Sequence, residues 1–312
     1  MRTSTLLLAT ASATSVLAGP LVKRADFDAP TGGDPTILNY ALVLEYLETE
    51  FYRQGLANYT EDEFCEFAGD GGSRFYNNLK TIYEDEKTHV ALIKDTLNTS
   101  AIPSPYFTFP STTARSFVAL ASVLEGVGVS AYLGATAAIA DKGYVTPAGA
   151  ILAVEARHTS YLRAVLGRKP FPRPFDTPLN FDQVFSLASQ FISGFAPGTP
   201  DLPFKAFPEL EAGFVEGFAG VVFEGAHAAA VKAGTVKEGD EVHAVFFSGL
   251  DPIYAEVTVD GDDYVVDGIP EEAQGQVYVV LSTANGKDAQ VSDATTIAGV
   301  AIIEVGGKED DE

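Results

Sequence analysis

Between Asp34 and Gly167 apolar residues return every three or four positions, the spacing of a single helix face. Leu38, Ala41, Leu42, Glu45, Thr49 and Tyr52 share one such face, and Asp34-Pro35 ahead of them reads as an N-cap followed by a first-turn proline. A second helix from about Arg74 aligns Phe75, Leu79, Ile82, Glu86, His89, Val90 and Ile93. A third, from about Thr112 to Ala140, is rich in Ala and Gly, which suits close packing. The fourth opens at Thr146-Pro147, aligns Ile151, Val154, Glu155, His158, Leu162 and Val165, and stops at Gly167. Four helices of bundle length are predicted.

Four prolines between residues 168 and 180 mark a break. Phe181 to Phe195 reads as an accessory amphipathic helix, and a second Pro-rich stretch runs to about Pro208. Beyond it the period becomes two. Val242–Phe247, Ala255–Val259, Tyr264–Val266, Gln276–Leu281 and Val300–Val305 are predicted strands separated by Gly, Asp, Asn and Pro turns. The expected fold is a multidomain α+β chain: a four-helix bundle over 25–167, a Pro-rich linker with its helix over 168–205, and an antiparallel β-sandwich over 206–307. An acidic tail, 308–312, follows. The length suffices for two domains, each with its own core.

Apolar helix faces should not carry ionisable groups, because an unpaired buried charge costs several kcal/mol or forces neutralisation. All four predicted helices break that rule. The first carries Glu45, the second Glu86 and His89, the third Glu125, and the fourth Glu155 and His158. In Glu86-Lys87-Thr88-His89 and Glu155-Ala156-Arg157-His158 the i,i+3 spacing puts carboxylate and imidazole on one side of the helix. The two helix pairs also repeat each other. Val43-Leu44-Glu45 followed by Tyr52 matches Val123-Leu124-Glu125 followed by Tyr132, and Ile93-Lys94 after the first E-x-x-H matches Leu162-Arg163 after the second. A pseudo-twofold between the pairs would bring four carboxylates and two imidazoles to one point, the donor set for two adjacent divalent ions. Oxygen and nitrogen ligands suit Mn and Fe and also accept Zn.

This constellation resembles the ferritin-like superfamily, whose di-iron and di-manganese members take one Glu from each of two helices and E-x-x-H from the other two. More narrowly, Leu38-Asn39-Tyr40-Ala41-Leu42-Val43-Leu44-Glu45-Tyr46-Leu47-Glu48 with Phe51-Tyr52, and Val245-Phe246-Phe247-Ser248-Gly249-Leu250 in the β-rich part, are similar to secreted fungal stress-response or late sexual development proteins. Those in turn resemble plant desiccation-related proteins. The resemblance implies two Fe or Mn ions held by Glu45, Glu86, His89, Glu125, Glu155 and His158.

Composition narrows the alternatives. Twenty Lys and Arg against 43 Asp and Glu give a net charge of −23, which disfavours nucleic acid and anionic membranes as partners. The single cysteine, Cys65, excludes an intramolecular disulfide and any thiolate-held zinc or iron–sulfur site. Arg2, the apolar run Leu6–Leu17 and Val16-Leu17-Ala18 before Gly19 have the parts of a secretory signal peptide. The dibasic Lys23-Arg24 then suits a processing protease, so 1–24 is expected to be removed and the protein to be secreted, extracellular or in the cell wall. No later stretch reads as a membrane anchor. Asn58 and Asn98 open N-x-[ST] sequons expected in loops of the bundle.

Other chemistry-bearing residues read more blandly. Glu224-Gly225-Ala226-His227 is a third E-x-x-H, with no partner helix, and His243 sits in a predicted strand. Asp260-Gly261-Asp262-Asp263 reads as a hairpin turn rather than a calcium loop. Glu48 lies one turn from Glu45, as an outer acceptor or an alternative ligand, and its repeat counterpart is Gly128. Tyr52 and Tyr132 are either core residues or hydrogen-bond donors to the site. Three functions stay open: a stress-protective metal-binding protein, a manganese-catalase-like or peroxidase-like oxidoreductase, and a structural wall or adhesion protein whose sandwich binds cell-wall glycans. A storage cage is disfavoured, since the appended sandwich would obstruct a closed shell.

Overall fold

The computed structural model describes residues 27–68, 72–215, 218–237 and 239–306. The expected signal segment, 1–24, and the acidic tail, 308–312, lie outside the described residues. Four long helices form the bundle: α1 (Asp34–Asn58), α3 (Gly72–Leu97), α4 (Ala114–Thr136) and α5 (Lys142–Val165), with a short α2 (Glu61–Ala68) between the first two. The N-cap of α1 is Gly33, one residue earlier than expected. Asp34 is instead a first-turn residue whose carboxylate accepts the Ala140 and Asp141 amides at 2.9 and 2.8 Å, tying the start of α1 to the start of α5. Helix α5 also begins a turn early, because the Asp141 side chain accepts the Gly143 amide at 2.8 Å and caps it there. Pro147 is thereby left inside the helix near its start, where it removes one backbone hydrogen bond. Helix α2 was not expected, although Thr60 and Glu63 bond reciprocally in the manner of a capping box and Phe64 is fully buried beneath it.

The accessory helix is shorter than predicted. It runs as α6 over Phe181–Ser189, after which Ile192–Gly194 (β2) pairs with Tyr106–Phe107 (β1). The remaining strands are β3 (Val221–Phe223), β4 (His243–Phe247), β5 (Pro252–Glu256), β6 (Thr258–Asp260), β7 (Asp263–Val266), β8 (Gly275–Ser282) and β9 (Thr296–Val305), with α7 (Ala226–Ala233) after β3. They form two antiparallel sheets, of order β5-β4-β8-β9 and β3-β7-β6. The predicted strand Ala255–Val259 is thus two strands in different sheets. Pro252 sits on an edge strand, where a missing amide costs least.

Strand alternation explains how the sheets meet the helices. Ala244, Phe246, Val277, Val279 and Leu281 face the smaller sheet and pack with Val221, Phe223, Tyr264 and Val266. The opposite residues, Val245, Phe247, Tyr278, Val280 and Val300, join the core formed by the helices. The larger sheet is therefore covered on both faces, and all of β4 and β8 is buried. One core is continuous from the bundle into the sheet, while a second lies inside the sandwich. A polar seam fixes the contact: Tyr278 Oη donates to the Gly126 carbonyl at 2.8 Å and Gln276 Nε2 to the Val123 carbonyl at 3.1 Å. A Cβ on Gly126 would lie 2.7 Å from the Gln276 side-chain amide, so a larger residue there would displace Gln276 from its place in this seam. Arg163 of α5 adds a bidentate pair with Glu304 of β9, at 2.8 and 2.9 Å.

Helix α4 is the most apolar of the four long helices. By length and composition alone it is apolar enough to cross a membrane. Here most of it is enclosed by the other helices on one side and the sheet on the other, which accounts for its apolar character.

Candidate metal centre

The bundle interior brings the six expected residues together. Glu45, Glu86, Glu125 and Glu155 have 0% exposure, and His89 and His158 have 7% each. Four buried carboxylates in an apolar interior are not tolerated without compensating positive charge. Their donor atoms fall into two groups, Glu45, Glu86, His89 and Glu155, and Glu86, Glu125, Glu155 and His158, each within a 4.8 Å span. Glu86 and Glu155, the carboxylates of the two E-x-x-H elements, belong to both groups. Glu45 and His89 complete one, Glu125 and His158 the other.

Both rings present Nδ1 to the cluster. His89 Nδ1 lies 3.2 Å from Glu86 Oε2 and 3.3 Å from both Glu45 Oε2 and Glu155 Oε1. His158 Nδ1 lies 3.1 Å from Glu125 Oε2 and 3.2 Å from Glu86 Oε1. Not every approach is a hydrogen bond. Glu45 Oε2, Glu86 Oε1 and both oxygens of Glu155 are buried without a hydrogen-bond partner. Buried unpaired acceptors are costly, and several converging on one point are what a cation would satisfy. The donor set therefore fits metal ions, with Glu86 and Glu155 placed between two positions.

The tyrosines link the halves crosswise. Tyr52 of α1 donates to Glu125 Oε1 of α4 at 2.5 Å, and Tyr132 of α4 donates to Glu45 Oε1 of α1. Each orients the carboxylate that belongs to one group only. Burial first, and then the adjoining carboxylates, push both phenols well above their ordinary range, so they act as donors.

Electrostatics separates the carboxylates. Burial raises Glu45 to about 7, against the lowering effect of His89 and Tyr132. Burial and the neighbouring carboxylates also raise Glu155. Burial opposes ionisation of Glu86 too, but the adjoining His158 and His89 rings outweigh it and hold that carboxyl down at about 2. Burial disfavours the charged ring of His158, yet Glu125 and Glu86 raise it to about 10. Without bound metal, positive charge on the two rings and, below about pH 7, a proton on Glu45 would offset the clustered carboxylates.

Glu48 is also buried, at 3% exposure, but falls in neither group. Its Oε1 and Glu155 Oε2 both lie 3.0 Å from where a Cβ on Gly128 would stand, so it flanks the cluster on the α4 side. Asp85 escaped the sequence reading: its Oδ2 accepts from His158 Nε2 at 3.3 Å and fixes the ring with Nδ1 inward. An acidic residue directly ahead of an E-x-x-H was the available signal. The remaining candidates lie elsewhere. His227 Nδ1 bonds to the Gly261 carbonyl at 3.2 Å and its ring stands edge-on to Tyr264, while Glu224 precedes α7 rather than sharing its face. Asp260–Asp263 is the turn between β6 and β7, with Asp263 accepting the Gly225 amide. His243 is buried in β4, with Nε2 3.4 Å from Glu241. Asn58 and Asn98 are exposed at the C-terminal ends of α1 and α3.

Comparison with known proteins agrees with this geometry. Residues 33–168 match the family model described as the ferritin-like domain. Protein rds1 of Schizosaccharomyces pombe is 25% identical over 173 residues, which cover 55% of this chain and 42% of that protein, so the match spans less than half of the relative. The helical part of the chain, residues 33–168, is a ferritin-like domain.

Proposed function

We propose that this chain is a secreted, stress-protective metalloprotein that binds two Fe or Mn ions in its helical bundle and uses them in redox handling of dioxygen or peroxide. The observation that carries the reading is the pair of ligand groups sharing Glu86 and Glu155. In this reading Glu86 and Glu155 would serve both ions, Glu45 with His89 would hold one, and Glu125 with His158 would hold the other. Such a pair of ions supplies reversible one-electron steps at two adjacent centres. The protein holds Glu45 and Glu125 in place through Tyr132 and Tyr52, orients His158 through Asp85, and excludes bulk water by burying every ligand. Secretion is supported by the signal-like residues 1–24. Elemental analysis of chain purified without chelators is expected to find about two equivalents of Mn or Fe. A content far below one equivalent, unchanged after reconstitution, would refute the dinuclear reading.

The oxidoreductase reading is favoured over pure sequestration by the cavity that reaches Glu48 beside Glu155, a space in which a small reactant could meet the cluster. Oxygen evolution or peroxide consumption by the metal-loaded chain, lost in Glu155→Ala, tests it.

A further inference from the structure

A cavity of about 400 Å³ lies between α1, α4, α6 and β9, roofed by residues 209–212. That volume is within the range of small-molecule sites. Its walls are chiefly aliphatic, with Leu47, Val127, Leu187 and Ile302 prominent. Glu48 lies among these walls, is 3% exposed, and makes no hydrogen bond or ion pair to another described side chain. A buried carboxylate in an apolar cavity without a partner needs a reason. The neighbouring wall position is Gly128. A methyl group there would press on Glu48 Oε1 and Glu155 Oε2, each at 3.0 Å, and close the gap between cavity and carboxylate cluster. The helix repeat makes the same point: where α1 has Glu48, α4 has glycine, so one half supplies the polar group and the other the space. The mouth carries Glu209 and Glu211, both exposed.

We propose that this cavity binds a small neutral amphiphile, an aliphatic chain ending in a hydroxyl, with the chain among Leu47, Val127, Leu187 and Ile302 and the hydroxyl on Glu48. A hydroxyl can donate to a carboxylate or accept from a carboxyl, so it satisfies Glu48 in either form. An anionic head group is disfavoured by Glu48, by the cluster behind it and by the two acidic residues at the mouth. The ligand's hydroxyl end would lie beside Glu155, at the edge of the proposed dinuclear site. The proposal takes its functional meaning from that reading, as the substrate class of the same site, but the binding itself is carried by the cavity.

Calorimetric titration of the full-length chain with octan-1-ol and with octanoate tests it, with metal content measured on the same samples. One saturable octan-1-ol site is expected, with octanoate weaker by about tenfold or more. Glu48→Gln should bind octan-1-ol within about threefold of the parent, whereas Glu48→Leu should lose about tenfold through the missing hydrogen bond. Val127→Phe fills the cavity from α4 and should abolish binding. Ala212→Trp fills it from the surface segment and does the same if the helix variant fails to fold. The proposal is overturned if octan-1-ol shows no saturable site, if octanoate binds as tightly, or if a folded cavity-filling variant binds like the parent. A chain that holds no metal yet shows the expected octanol pattern would sink the dinuclear reading alone; a chain with metal and no octanol site would sink this one alone.

Discussion

The two halves of the bundle, α1 with α3 and α4 with α5, carry the same ligands and differ at particular positions around them. Glu45 answers Glu125, Glu86-x-x-His89 answers Glu155-x-x-His158, and the crossed tyrosines exchange roles. Three other matched positions diverge. Glu48 faces Gly128, Asp85 stands where the second half has Val154, and exposed Lys94 corresponds to Arg163, buried against Glu304. The shared positions are those that charge compensation at a common point requires. The divergent ones serve what each half meets outside: the cavity at Glu48 and Gly128, and the β-sheet at Arg163. A duplicated pattern thus separates what holds the centre from what adapts it.

The largest effect expected is at the carboxylates between the two groups. Glu155→Ala should remove both ions, because its oxygens serve both positions, while Glu45→Ala should leave about one equivalent. Elemental analysis of the two variants side by side reads the difference. Equal losses would mean that the halves do not share their bridges. Next in size is the contrast between Arg163 and Lys94. Arg163→Ala leaves Glu304 only the longer 3.5 Å contact with Arg168, also strips the Lys169 carbonyl of its donor, and should cost roughly 3 kcal/mol in urea unfolding. Lys94→Ala, at an exposed position, should stay within about 0.5 kcal/mol.

Chelation should cost less than losing that pair, about 2.7 kcal/mol when free metal had been one hundred times its dissociation constant. That corresponds to a melting temperature lower by roughly 5–10 °C. His158→Ala should erase the difference between chelated and loaded protein, and His227→Ala and Asp262→Ala should preserve it. The gain should also depend on pH. The Glu45 carboxyl is raised from 4.5 to about 7, so in the metal-free chain its contribution is full below about 4.5 and is lost as pH rises through 7. Glu86, depressed to about 2, contributes above about 4.5 and fails only as pH falls towards 2. His158, raised to about 10, contributes fully below about 6.5 and loses that contribution progressively as pH rises from there through 10. Between pH 5 and about 6.5 the Glu45 effect dominates the metal-free chain, and above that His158 adds a loss of the same sign. The melting difference between loaded and chelated protein should therefore widen from pH 5 to pH 8. A difference that narrowed over that range would contradict the burial-driven protonation of Glu45.

The bundle and its ligand order were legible because periodicity and the helix repeat are local properties: Glu45 and Glu125 could be matched by their seven-residue distance to Tyr52 and Tyr132. The short α2 was legible in principle, through Thr60 and Glu63, and was missed for want of a long apolar face. The early start of α5 was not anticipated, since Pro147 looked like a beginning and Asp141 capped first. The two-faced burial of β4 and β8 is a consequence of tertiary contact: continuous runs such as Val277–Leu281 hint at it, but only the docked α4 explains it. The cavity could not be read at all. Leu47, Val127, Leu187 and Ile302 come from four elements, and no spacing in the chain relates them.

The smallest predicted effect tests the divergence at Asp85. Its carboxylate receives His158 Nε2 at 3.3 Å, whereas the described side chains offer no acidic partner to His89 Nε2, because the matched residue is Val154. Such an outer partner fixes ring orientation and raises ligand basicity, and its removal typically weakens metal binding by about 10–100-fold. The Asp85 side chain is 46% exposed, so solvent screens the pair and the expected loss in Asp85→Asn lies near tenfold, about 1.4 kcal/mol. The loss should fall on one ion, the one ended by Glu125 and His158, and leave the position of Glu45 and His89 unchanged. A chelator-competition titration resolves this as one weakened step of two. Val154→Asp offers the complementary change, an acidic partner on the side of His89, and should tighten the other step. If Asp85→Asn weakened both steps equally, the asymmetry between the halves would not reach the ions, and the carboxylate would be serving the fold of α3 rather than the orientation of His158.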